Sequence, residues 1–329
     1  MVSIMKICIV SNFSDNFDEG LRNVARSLYA ALKKNHDVKK VNYYSIPDLI
    51  SIRQFNPDII HFVLSPTVYG LVLAKFTSLL NKNSKTIISA TNCSIPEWRI
   101  LKILKLLKVD LVLVQTKLTE DFFKSLGFPT KYFFNSVDID KFRPMDDSQK
   151  TKLRLKYKIP VEKFVLLHVA SLTRQRNLDM LMEIQDDKNQ VLIIGRENEK
   201  IDLNVFEKLN QKGCKVWLKH FQNIEEVYNL SDCYVFPSKE KNACIETPLS
   251  VLEAMACNLP VITTNFGSIP ILFQEENGLF FIEEPGDISK ILENISEVNV
   301  NNREKILPFA VDNYLIDLLT LYGEVLNTF

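Results

Sequence analysis

Residues 233–264 read CYVFPSKEKNACIETPLSVLEAMACNLPVITT, and the order of apolar and polar runs is that of a strand, an irregular loop, a helix and a second strand. The first apolar run, Cys233–Phe236, stops at Pro237, which lacks a backbone donor and has a fixed φ, so the sheet ends there. Nine mostly polar residues follow. Thr247 and Pro248 then supply a capping hydroxyl and a residue suited to the first helical position, predicting a helix from there to about Cys257, ended by Asn258 and Pro260. The β-branched run 261–264 predicts a buried parallel strand beside the first. A loop that leaves the carboxyl end of a strand and opens a helix aims backbone N–H groups and a helix dipole into one crevice, where an anion is the expected guest. Glu246 stands just ahead of the helix and Glu253 within it; carboxylates there repel phosphate but accept hydroxyls, so phosphates on the helix end and sugar hydroxyls on the glutamates satisfy both. Taken alone, the same two residues also read as one capping and one solvated glutamate.

Working outward, Lys6 to Asn12 is a buried strand, and Val24, Leu28, Ala31 and Leu32 fall at helical spacing before a second short strand after His36. The segments 57–62, 85–90 and 110–115 predict further strands of a parallel sheet, each entering a polar loop. His61, alone in an apolar strand, reads as a satisfied core residue. The charged run 146–163 reads as a connector, with a domain boundary near 150; strands at 164–170, 191–195 and 216–218 then build a second domain. In a chain of 329 residues with 46% hydrophobic content, two domains of this kind can each bury a core.

Forty basic residues balance forty acidic ones, so bulk charge recruits neither nucleic acid nor an anionic membrane. Six cysteines are scattered without a C-x-x-C pair and read as reduced. None of the nine glycines forms a G-x-G pair, which removes the dinucleotide fingerprint, and no G-K-[ST] occurs, which removes the P-loop. The apolar amino-terminal run is too short for a secretory signal and no run approaches a membrane span, so the expected location is the cytoplasm. The stretch 98–108, WRILKILKLLK, is amphipathic with a basic flank. Two readings stay open for it: a surface helix with solvated lysines, or a patch giving weak contact with anionic lipid at the membrane surface.

Several segments in the same order resemble glycosyltransferase family four, retaining enzymes of the GT-B fold. Pro237-Ser238, Glu253-Ala254-Met255-Ala256 and Leu259-Pro260-Val261 stand where that family has Pro-Ser, a glutamate with Ala-Met-Ala, and Gly-x-Pro-Val. Asn135-Ser136-Val137-Asp138, Phe142 and Pro144 match its Asn-Gly-Val-Asp, Phe and Pro, while residues 265–281 match its Gly-x-x-Pro and Asn-Gly-Leu segments. The chain departs from the pattern in places: the donor-turn glycines are absent, Glu246 lies seven rather than eight positions before Glu253, and Thr91-Asn92 stands where a histidine is usual. Ala170 and Ser171 replace a Gly-Arg pair, and Arg176 takes the place of a lysine.

The resemblance implies an α/β protein of two Rossmann-like domains facing across a cleft: an acceptor-side domain over 1–150, a nucleotide-sugar domain over 151–305, and a carboxyl-terminal helix over 306–329 crossing back to the first. It implies a glycosyltransferase, a hexosyltransferase by type, that takes a sugar from a nucleoside diphosphate sugar to a glycan or lipid-linked acceptor hydroxyl. Arg176 and Glu246 are the implied catalytic residues; Gly20, Ser171, Arg174, Leu249, Ser250 and Glu253 join them at the donor, and Thr91 and Asn92 shape the acceptor side. Asp138-Ile139-Asp140 spells D-x-D, but at the domain junction it implies no metal, and no cofactor is expected. The competing reading is a non-catalytic homologue that binds nucleotide sugar or a partner protein, motivated by the missing histidine, arginine and glycines.

Overall fold

The computed structural model describes residues 4–13, 20–92, 104–196 and 201–328. Contacts divide the chain into two compact units: Met1–Asn135 with Cys244–Thr247 and Val311–Phe329, and Ser136–Ala243 with Pro248–Ala310. The chain therefore first changes unit at Asn135, where the sequence places the change near 150. The charged run read as a connector instead carries a helix, Asp147–Tyr157, started by a capping box between Asp146 and Gln149.

The first unit holds a six-stranded parallel sheet in the order β2-β1-β3-β4-β5-β6, with β1 Lys6–Ser11, β2 Asp37–Asn42, β3 Ile59–Leu64, β4 Lys85–Ala90, β5 Leu111–Val114 and β6 Thr130–Tyr132. Its strands β3 and β5 are buried along their whole length and, His61 apart, apolar, as parallel strands covered on both faces are expected to be. The order reverses between β1 and β3. The helix Gly20–Leu32 buries Leu21, Ala25, Leu28, Ala31 and Leu32, close to the set the sequence spacing picks out.

His61 is fully buried in β3, with one ring nitrogen 2.6 Å from the Tyr322 hydroxyl and the other 2.7 Å from the Ser89 hydroxyl. Burial pushes its pKa down to about 3, so the ring stays neutral, donating through one nitrogen and accepting at the other. Tyr322 lies in the last helix, Val311–Leu326, which this buried bond fastens to the sheet of its own unit. Tyr322→Phe is expected to lower first-unit stability by about 1–3 kcal/mol, because it strands a buried ring nitrogen. In a thermal melt, the double variant with His61→Phe should then lose less than the two single losses added together.

The second unit holds a second six-stranded parallel sheet, ordered β12-β11-β10-β7-β8-β9, from β7 Phe164–Val169, β8 Asn189–Gly195, β9 Lys215–Leu218, β10 Cys233–Phe236, β11 Val261–Thr263 and β12 Leu279–Phe281. Read from the β9 edge, this is the 3-2-1-4-5-6 order of dinucleotide-binding sheets, with its reversal between β7 and β10. No helix among the described residues is long and apolar enough to cross a membrane. Cys8, Cys214, Cys233 and Cys257 are buried free thiols. Only the tail of the amphipathic stretch 98–108 falls within the described residues, and there Lys105–Leu107 forms a single 3-10 turn.

Candidate functional site

Open α/β sheets hold ligands outside the carboxyl ends of their strands where the strand order reverses. In the second unit that point lies between the loops following β7 and β10. After β7, Ala170 keeps one ladder bond to Ile194, and Arg174–Arg176 then forms a 3-10 turn closed by Asn177 in the left-handed conformation, φ 55°. Asn177 donates from its side-chain amide to the Pro237 carbonyl at 3.2 Å, fastening this loop to the one after β10. Arg176 sits half-buried with its Nε 3.4 Å from the Ser171 hydroxyl, so the structure brings this predicted pair together. Arg174 turns elsewhere: its Nε donates to Asp202 at 2.8 Å on the surface.

The helix after the β10 loop runs Leu249–Ala256 and buries Val251, Leu252, Ala254, Met255 and Ala256. The sequence made Thr247 its capping hydroxyl, and this is corrected: Pro248 is the cap residue, and no side chain caps the helix. Its first turn, with Leu249 and Ser250, thus offers backbone N–H groups and the positive end of the dipole without a competing side-chain acceptor. On the same helix Glu253 accepts from the Tyr228 hydroxyl at 2.6 Å. Burial, and then the Glu253 charge, raise the Tyr228 phenol well above its usual range, so it remains a donor that fixes this carboxylate.

Sequence reasoning missed His168, one residue before the end of β7. Its Nδ1–H donates to the Val235 carbonyl at 2.8 Å, and burial lowers its pKa to about 4, keeping a neutral ring under the switch point.

In the first unit the reversal lies between β1 and β3, and Gly20 opens the helix that follows β1. A Cβ there would lie 3.2 Å from the tip of the Ile245 side chain, so Gly20 and Ile245 pack closely. Ile245 belongs to the short piece Cys244–Thr247, which packs within this unit. Glu246 is 2% exposed, and its Oε1 accepts from the Thr116 hydroxyl at 2.9 Å and the Thr119 hydroxyl at 2.5 Å. Its backbone N–H donates to the Thr91 carbonyl at 2.7 Å. Next to it the Thr247 N–H donates to Gln115, Gln115 donates to Asn135, and Asn135 donates back to the Thr247 carbonyl at 3.1, 3.0 and 2.9 Å. Desolvation raises the Glu246 pKa, while the Thr119 and Thr116 hydroxyls pull it back in part.

Thr91, expected on the acceptor side, is buried and spends its carbonyl on Glu246 and its hydroxyl on Asn92 at 3.3 Å. Asp138 of the D-x-D sequence accepts from the backbone N–H groups of Asp140 and Lys141, a turn within its own loop.

Residues 149–306 match the family model described as glycosyl transferases group 1. The chain is 29% identical over 264 residues to the sulfoquinovosyl transferase of Arabidopsis thaliana, covering 74% of this chain and 50% of that protein. It is 26% identical over 274 residues to an uncharacterized glycosyltransferase of Methanocaldococcus jannaschii, covering 76% of this chain and 63% of that one. The matches thus span less than two-thirds of these relatives. Among solved structures, the complex of Anabaena HepE with UDP-glucose superposes with a TM-score of 0.74 at 16% identity, covering 99% of this chain and 100% of that chain. This likeness fixes the fold as GT-B, built here on two parallel six-stranded sheets. The likeness to the glycosyl transferases group 1 thus rests on residues 149–306, just under half of the chain.

Proposed function

We propose that the chain is a retaining glycosyltransferase that moves a hexose or related sugar from a nucleoside diphosphate sugar to an acceptor hydroxyl on a glycan or lipid-linked glycan. The observation that carries this reading is the arrangement at the second switch point: Arg176 beside Ser171, joined through Asn177 to the β10 loop, ahead of a helix that no side chain caps. In sugar transfer the bond from the anomeric carbon to the phosphoryl oxygen breaks, and its electron pair leaves with the diphosphate. The acceptor oxygen bonds to the same face of that carbon and gives up its proton to the departing diphosphate oxygen. Charge grows on the departing diphosphate, and a guanidinium together with helix N–H groups stabilises that charge where it grows.

Glu253, steadied by Tyr228, is assigned to ribose hydroxyls. Glu246, read from sequence as orienting the sugar, is assigned the holding of residues 244–247, since its Oε1 already receives two threonine hydroxyls. The kinship supports a nucleotide-sugar donor: one relative bears the name of a sulfoquinovosyl transferase, and HepE was crystallised with UDP-glucose.

A thermal-shift screen against nucleoside diphosphate sugars tests the donor, because a ligand that binds only the folded state raises its melting temperature. Transfer or slow hydrolysis of the stabilising sugar would then support the enzyme. Binding without any turnover would instead support a non-catalytic homologue.

Metal independence belongs to the same proposal. A phosphate site made of Arg176 and a helix terminus supplies positive charge to the diphosphate without a bridging cation. Turnover is expected to persist in EDTA. Complete loss in chelator, restored by magnesium or manganese, would overturn this part.

A further inference from the structure

The first-unit helix Val68–Leu80 is apolar on its outer side as well as its inner one. Leu71 and Ala74 face inward to the sheet core, and Gly70 and Thr77 are buried with them. Tyr69, Val72, Phe76, Leu79 and Leu80 recur at the spacing of a single stripe, spread over an arc of about 100° at 3.6 residues per turn, and all are exposed. Tyr69, Phe76 and Leu79 keep 56%, 58% and 55% of their surface in solvent. Leu106, in the 3-10 turn packed beside this helix, is 74% exposed and extends the stripe. The Lys75 ammonium joins the two pieces by donating to the Lys108 carbonyl at 2.9 Å.

The charges within the two segments that carry this stripe are of one sign. Residues 65–85 and 104–109 contain five lysines (Lys75, Lys82, Lys85, Lys105, Lys108) and no aspartate or glutamate. Asp110, next in sequence, is already engaged by Lys85 at 3.9 Å and by the Thr86 N–H at 2.7 Å.

We infer that the outer face of the helix Val68–Leu80, with Leu106, docks this protein on an anionic lipid bilayer, the apolar stripe seated among acyl chains and the lysines at the headgroups. A second copy fits the same face poorly. A two-fold interface would set these lysines against their own copies, and protein interface cores are depleted of lysine. A bilayer rich in acidic headgroups supplies the apolar layer and the opposite charge together. The inference does not rest on the transferase reading, since it is read from vesicle binding rather than from turnover.

The test is co-sedimentation of the full chain with vesicles of phosphatidylcholine alone or mixed with phosphatidylglycerol, at low and high salt. Binding is expected on the mixed vesicles, much weaker on the neutral ones, and reduced but not abolished by salt. Replacing Val72, Phe76 and Leu79 together by Ser should weaken binding about tenfold or more, because the buried apolar area is lost. Replacing Lys75, Lys82 and Lys105 together by Glu should weaken it about a hundredfold on anionic vesicles only, at the contribution expected per basic residue near such a surface. Val72, Phe76, Leu79, Lys82 and Lys105 are exposed and Lys75 is half-buried, and unchanged circular dichroism and melting confirm that each variant is folded. The unsubstituted protein remaining in the supernatant at low salt would overturn the inference, as would a serine triple variant that binds like the parent. So would a concentration-dependent dimer, seen by sedimentation, that the serine variant alone dissolves, since it would assign the face to a second copy.

Discussion

Arg176→Ala is expected to slow sugar transfer by about a hundredfold to a thousandfold, the usual cost of removing one preorganised donor from a developing negative charge. The effect should fall on the chemical step, and melting should barely move. Arg176 is half-buried, and its one described side-chain bond, to Ser171 at 3.4 Å, is long enough to hold little energy. Arg176→Lys should restore part of the rate, because a point charge replaces the charge but not the planar fork that grips two phosphoryl oxygens. Arg174→Ala provides the contrast. Its guanidinium is committed to Asp202 in an exposed pair, so initial rates with that variant should stay within about twofold of the parent. Measured rates in which Arg176→Ala equals the parent, or Arg174→Ala is the more damaged, would remove Arg176 from the site.

The parts of this protein that were legible in its sequence are those fixed by local or one-dimensional signals. Cys233–Phe236 appears as a strand at the bounds its composition indicates, since a strand buried on both faces reads as an unbroken apolar run, and Lys85–Ala90 appears at the bounds read for it around its Ile87-Ile88 pair. Pro260 and the β-branched run after it place β11 in the same way, and the structure ends it at Thr263.

Where the reading failed, a local signal had a competitor. Asp146 and Gln149 carry the pattern of a helix start, yet the charge of the following residues made 146–163 look like a connector. Thr247 beside Pro248 looked like a cap. Its backbone is instead drawn to Gln115 and Asn135, 132 and 112 residues away, and no local pattern encodes such a pairing. Thr116 and Thr119 were missed for the same reason: T-x-x-T at a strand end announces a cap for its own helix, which Thr116 provides, and says nothing of Glu246. The helix Val68–Leu80 escaped notice because its apolar residues lie on both faces, which leaves no helical period to detect.

Glu246→Ala is the second large expected effect, and it should appear in two measurements at once. The carboxylate is buried and receives the hydroxyls of Thr116 and Thr119, so truncation strands the buried Thr119 donor and loosens the half-buried Thr116 one, and should cost about 1–3 kcal/mol of first-unit stability. Transfer should fall with it, by about a hundredfold, because residues 244–247 lose the bonds that fix them and a small misplacement is enough to cost that much. Affinity for the free nucleoside diphosphate should hardly change, since its proposed contacts, Arg176 and Glu253, are untouched. A positioning role then separates from direct sugar contact through Glu246→Gln, whose amide oxygen can still accept from both threonines. If Glu246 positions the loop, the Gln variant keeps most of the rate. If its negative charge acts on the sugar, the Gln variant is as slow as Ala, and the positioning role is lost. The pH dependence gives a third readout. Burial raises the folded-state pKa of Glu246 above its unfolded value, so the folded chain retains a proton that the unfolded chain has released. Its contribution to stability is therefore complete below the ordinary carboxyl range and declines as pH rises through the raised value. Glu246→Gln, with nothing to ionise, should flatten that part of the stability profile, so that its deficit against the parent shrinks as the pH is raised. A deficit that instead widens above the carboxyl range would mean that the charged form of Glu246 is the one the fold prefers.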